Sequence, residues 1–117
     1  MPRKQPSKAS GVAEGKLAYI ACRVEPGMFR GELLAFVDAR NPDDPNELVK
    51  AQLLVDQREV AGIRGTPRPN NPVNGWLRVS VVRSKDGWME VVLPQPSQPL
   101  GEAILVDQGV VREEPGA

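Results

Sequence analysis

The chain has 117 residues, 40% of them apolar and 26% charged, with 15 lysines and arginines against 15 aspartates and glutamates. That length is the commonest size of one domain and leaves no room for two independent cores. Zero net charge excludes a protein that coats nucleic acid or an acidic membrane by bulk electrostatics alone.

Residues 1–15 are dominated by Pro, Ser, Lys, Gly and Ala without periodicity, which reads as a flexible basic tail. They hold no apolar run of signal-peptide length, and nothing later approaches the roughly 18 apolar residues of a membrane span. A cytoplasmic chain with no membrane partner is therefore expected. A single β domain is placed at 16–112, followed by a flexible acidic tail at 113–117.

The row Leu17 to Val24 reads as a strand buried on much of both faces and ended by Glu25-Pro26-Gly27. Glu32 to Ala39 reads as a second. The turn formers from Arg40 to Asn46 lead into Glu47 to Asp56, where two readings compete. Asp44-Pro45-Asn46-Glu47 has the chemistry of a helix start. Against it, Val49, Ala51, Leu53 and Val55 share one face at 180° per residue and scatter at 100°. Periodicity favours the strand, with Leu54 alone breaking the alternation.

Leu77 to Leu93 reads as a hairpin. A three-residue Lys85-Asp86-Gly87 turn with a bulge at Gly87 pairs Ser84 with Trp88, Val81 with Val91 and Val79 with Leu93, making one face apolar. A two-residue Asp-Gly loop would mix polar and apolar residues across the strands. The solvent face receives Arg78, Ser80, Val82 and Glu90. After a proline-rich spacer at 94–99, a last apolar run, Glu102 to Val106, precedes Val110-Val111. Leu54-Val55-Asp56-Gln57 recurs as Leu105-Val106-Asp107-Gln108, each followed by valine. We read both as strands that leave the sheet through an Asp-Gln turn and re-enter at the valine, and no further match argues for duplicated halves.

These elements predict an all-β, mostly antiparallel fold, a small barrel or sandwich of six to eight short strands. Short twisted strands, a tight Asp-Gly hairpin and a late strand-turn-strand resemble SH3-like and related small β-barrels. That resemblance implies architecture and no site.

Chemistry is narrowed by elimination. There is no histidine, so Ser-His-Asp and Cys-His arrangements and ordinary zinc sites are absent. Cys22, the only cysteine, rules out an intrachain disulfide and sits in an apolar strand, where a thiol is packing. No phosphate-cradling glycine motif occurs. Asp43 and Asp44, with Asp38 and Glu47 nearby, are the one set that could hold Mg²⁺, and turn chemistry explains them better. No catalytic residue, metal or cofactor is expected, and the chain is read as no enzyme.

Zero net charge conceals blocks: residues 1–16, 17–57, 58–85 and 86–117 carry +3, −3, +5 and −5. The third contains the long loop 62–75, where arginines flank prolines and where Pro69-Asn70-Asn71-Pro72 could form a polyproline-like strip. Candidate partner-binding residues are Arg64, Arg68, Trp76, Arg78, Arg83 and Lys85. Trp76 and Trp88 flank the hairpin and could both cap the core; core or edge packing is expected, although an exposed Trp76 would mark a binding hot spot. The reading is a non-catalytic protein-protein interaction module or accessory subunit. The alternative is a nucleic-acid-binding accessory protein using the 58–85 block and the N-terminal tail. Exposed aromatic rows for base stacking are lacking, which favours a protein partner. The oligomeric state stays open.

Overall fold

The computed structural model describes residues 15–116, and the basic tail proper, 1–14, lies outside them. Three strands, β1 (Leu17–Pro26), β2 (Glu32–Asn41) and β3 (Asp44–Asp56), form an antiparallel meander followed by a 3-10 turn and the short β4 (Val60–Ala61). A second meander follows, β5 (Val73–Lys85), β6 (Trp88–Ser97) and β7 (Gly101–Asp107), again with a 3-10 turn and a short strand, β8 (Val111–Arg112). β1 and β5 pair along Leu17 to Val24, and a ring closes through β1, β5, β6, β7 and β2. The fold is the small antiparallel β-barrel that the alternation predicts, with eight strands and no α-helix among the described residues.

Period-2 alternation sends one face of every long strand inward. Ile20, Leu77, Met89 and Ile104, with valines 24, 37, 55, 81, 91, 106 and 111, are the largest side chains shut off from solvent. Each such side chain contributes about 1.5–3 kcal/mol by leaving water. Among the described residues Ser97 is the buried polar one, and its hydroxyl donates to the Gly101 carbonyl at 2.7 Å.

The contested third segment is a strand, and it starts earlier, at Asp44. Ala51, Leu53 and Val55 point inward, while Leu54 is 41% exposed. The helix-start residues serve a turn instead: Asp44 accepts from the Asn46 N–H, and the Asn41 amide donates to Glu47. Pro45 tolerates this place because only its carbonyl is used, by Arg40.

The hairpin corrects the expected turn and keeps the expected core register. Lys85 faces Trp88 and Ser84 faces Met89, so the loop is the two-residue Asp86-Gly87, with φ of 51° and 88°. Both left-handed positions match a type I′ turn, which suits Asp-Gly. The register then shifts between Val81 and Arg83, and Val81 faces Val91 as burial demands. The bulge sits at Val82, 42% exposed, where an extra residue reaches solvent.

The recurring tetrapeptide marks a duplication that runs through the whole fold. Val60 of β4 pairs with Leu77 of β5, and Val111 of β8 pairs with Ile20 of β1. Ile20 and Leu77, thus equivalent, also pair with each other. A pseudo-twofold axis passes through that pair and relates β1-β2-β3-β4 to β5-β6-β7-β8. The other registers obey it: Arg23 facing Phe36 matches Ser80 facing Val92, Leu33 facing Val55 matches Met89 facing Val106, and the Arg40–Leu105 pair has its mate in the Gln52–Gln98 bridge continued by two residues. Each half hands its final short strand to the other. Gly75 makes room for this, because a Cβ there would sit 2.8 Å from Val60 Cγ1. Its equivalent is Ala18, which is also fully buried.

The two 3-10 turns differ in one respect. Asp56 caps the first, accepting from the Arg58 N–H at 2.8 Å and from its guanidinium, whereas Asp107 makes no side-chain cap bond. The Arg58 side-chain hydrogen bond, then its N–H, holds the Asp56 carboxyl below the ordinary 3.8. A carboxyl with a depressed folded-state pKa stabilises the fold above the unfolded value, and that contribution fades as pH falls through the folded one. Asp56→Ala is therefore expected to lower the melting temperature at neutral pH, with the gap from the parent closing in acid. Asp107→Ala is expected to change little at either pH; paired thermal melts check both.

Candidate functional site

The tips of two hairpins, one from each half, meet over Trp88. Because Met89, Val91 and Leu93 turn inward, alternation puts Trp88 on the outer face, where the two-residue loop sets it opposite Lys85 and beside Asp107 of β7. The guanidinium of Arg40 lies 4.3 Å from the ring centroid, a cation–π contact that brings the β2–β3 turn over the indole. Pro42, Pro45 and Leu105 wall the resulting groove, and Arg83, Lys85, Asp86 and Glu90 ring its mouth; its volume is about 300 Å³. Arg83 is held by Glu90 at 2.7 Å. Lys85 makes no ion pair among the described residues.

Of the four acids considered for a metal, Asp38, Asp44 and Glu47 have side-chain partners in the fold, and Asp43 contributes its backbone N–H. Asn41 accepts from the Asp43 N–H at 2.9 Å, and Asp38 faces Arg23 and Lys50 at 3.9 and 4.0 Å. No group of three or more His, Cys, Asp or Glu is arranged to hold a metal among the described residues.

Five of the six candidate residues divide among three grooves, and Arg68 sits in none of them, in a turn of the 62–72 loop. Arg83 and Lys85 border the Trp88 groove. Arg64 and Trp76 share another groove of about 370 Å³ with Ala21, Cys22, Gly62, Asn74 and Gly75. Neither tryptophan belongs to the core cluster, so of core and edge packing only the edge remains. Both are half-buried on the outer face, and Arg112 approaches Trp76 at 5.8 Å. Cys22 beneath is 6% exposed, and burial pushes its thiol up to about 12, which makes it packing rather than a nucleophile.

Arg78 stands apart, 3.2 Å from Glu59, in a third groove over Val79 and Val92. Its pseudo-symmetric mate lies over Cys22 and Phe36, with Arg23 and Asp38 as its charges. Both occur where a strand edge lacks a ladder partner: β8 covers β1 to Ile20 and β2 resumes at Arg23, while β4 covers β5 to Leu77 and β6 resumes at Ser80.

The arginine loop is shorter than expected because β5 already begins at Val73. It is no polyproline strip. Arg68 to Asn71 close a turn through the Asn71 N–H to the Arg68 carbonyl, 3.0 Å, with Asn70 left-handed at φ 60°. The Arg64 N–H donates to Asn74, tying the loop to the barrel.

Of the residues lining the Trp88 groove, the sequence reading named only Arg83 and Lys85 as partner-binding; it missed Trp88 itself, Pro42, Pro45 and Leu105, and the Arg40 that covers the indole. The alternation of β6 carried the signal for Trp88, since inward Met89, Val91 and Leu93 leave it outside whatever the loop length. The Arg40 contact joins segments far apart in the chain and had no local signature.

No helix is long and apolar enough to cross a membrane among the described residues. No family model, curated protein or solved structure matches the chain.

Proposed function

We propose that the protein is a non-catalytic interaction module that holds a segment of another protein in the Trp88 groove. One observation carries the reading: an indole fixed by Arg40 and walled by prolines from the opposite half, open to solvent at the meeting of two hairpin tips. A preorganised aromatic of this kind offers large contact area at little ordering cost. With Arg83 paired to Glu90, Lys85 and Asp86 leave the mouth without net charge, so the anchor of the bound segment is apolar.

The charge layout favours protein over nucleic acid. Within the basic block Arg58, Arg78 and Arg83 are already paired with Asp56, Glu59 and Glu90. Arg64 and Arg68 lie before β5 and Lys85 ends it, a separation of roughly 40 Å along the strand. The remaining cations form no continuous stripe for a phosphate backbone.

The test compares partner capture and oligonucleotide binding by the parent, Trp88→Ala and the double variant Arg64→Ala with Arg68→Ala. A captured protein that Trp88→Ala weakens about thirtyfold or more, and that the double variant keeps, is expected. Oligonucleotide binding that falls steeply with salt and is lost in the double variant would turn the reading to nucleic acid.

A further inference from the structure

The ends of the two halves meet over Trp76. β4 pairs Ala61 with Trp76, and the chain leaves it at Gly62; β8 pairs Arg112 with Tyr19, the residue equivalent to Trp76, and the chain leaves it at Glu113. The second exit crosses to Trp76, where Gly116 lies so close to the indole that a Cβ there would stand 2.7 Å from Cε2 and 3.0 Å from Nε1. Gly62 is its neighbour: left-handed at φ 62°, it would put a Cβ 3.1 Å from the ring Cδ1 and 3.3 Å from the Gly116 carbonyl oxygen. Two glycine backbones thus share one aromatic surface, and a side chain on Gly116 would have to displace either the ring or its own segment.

The hold is light. Among the described residues no backbone hydrogen bond ties 113–116 to the barrel. Glu113, Glu114 and Pro115 are exposed, and Gly116 alone is half-buried. Beside this cover the indole continues into the groove of about 370 Å³ that Arg64, Asn74 and Gly75 line. A cover that rests on van der Waals contact costs little to lift, whereas the tryptophan beneath offers a large contact area at little ordering cost.

We propose that the Trp76 face is a binding site for a proline-glycine segment, filled by the chain's own Pro115-Gly116, and that a partner segment of the same chemistry enters by displacing them. The cover itself specifies the occupant. Glycine is required over the ring, because any Cβ at that place collides with it. Proline ahead of it fixes one backbone torsion of the approaching segment and so lowers the ordering cost. Pro115 also reaches Gly62, its Cβ 3.9 Å from where a Gly62 Cβ would be, so the segment bridges the two exits. Tethering raises the effective concentration of the cover to about the millimolar range, and the site therefore admits a partner only when that partner outcompetes it. Trp88 takes no part in this site.

Fluorescence of the full chain tests it in a Trp88→Phe background, where Trp76 is the one indole left. Gly116→Val is expected to unseat the cover with far-ultraviolet circular dichroism unchanged, so that acrylamide quenches Trp76 more strongly and its emission moves to the red. A peptide Glu-Glu-Pro-Gly-Ala, added up to millimolar concentration, should reverse both changes in Gly116→Val. It should bind the background chain about tenfold or more weakly, because there it competes with the tethered copy. The same peptide with valine in place of glycine should protect neither chain. Equal quenching of the two chains, no protection of Gly116→Val by the glycine peptide, or equal protection by the two peptides overturns the proposal.

Discussion

Leu77→Ala is expected to destabilise the barrel by about 3–4 kcal/mol, and Ile20→Ala by a similar amount. Both side chains are fully buried, they face each other across β1 and β5, and each also faces the valine of a short strand from the other half. Removing either opens a cavity against three strands that are already hydrogen-bonded in place and cannot collapse to fill it. A single domain has about 5–15 kcal/mol in total, so one truncation consumes a large share. The double variant should depart from additivity, because the two side chains share one space. Urea unfolding curves of the two single variants and the double check this. Costs below about 1 kcal/mol for both would mean that the strands around the pair relax to fill the space.

Much of the barrel was legible in the chain because burial enforces period 2 on every long strand. Val49, Ala51, Leu53 and Val55 settle the third segment against its own helix-start chemistry, because an apolar face must be buried whereas a cap can be reused in a turn. Val81 facing Val91 was legible for the same reason. The turn beyond it was not, since Asp86-Gly87 permits both a two-residue loop and a longer one, and the exposed bulge at Val82 reconciles the tight turn with the core register. The duplication was visible only as one tetrapeptide. Its other equivalent pairs, Ile20 with Leu77, Leu33 with Met89 and Cys22 with Val79, conserve burial and not identity, so no residue match exposes them. The Trp88 groove was the least legible. Arg40 and Trp88 meet only because β2 passes β7 in a pairing of two distant segments.

Val111→Asp is expected to abolish the cooperative folding transition, although it lies six residues from the end of the chain. Val111 is fully buried in a strand of two residues whose one ladder partner is β1 at Tyr19 and Ile20. A carboxylate there would lose its hydration and find no cation among the core residues, a cost of several kcal/mol that a marginally stable domain cannot absorb. β8 could avoid that cost only by detaching, which uncovers Ile20 and the edge of β1 at once. Val60→Asp, the equivalent change at the end of the first half, should act in the same direction with a smaller effect, because Val60 keeps 7% of its surface in water and Val111 none. Near-ultraviolet circular dichroism and thermal melts of both variants distinguish the outcomes. A Val111→Asp chain that melts within a few degrees of the parent would show that β8 only lies against the barrel. If both variants lose the transition, each half depends on the strand it receives from the other, as an intramolecular dimer requires.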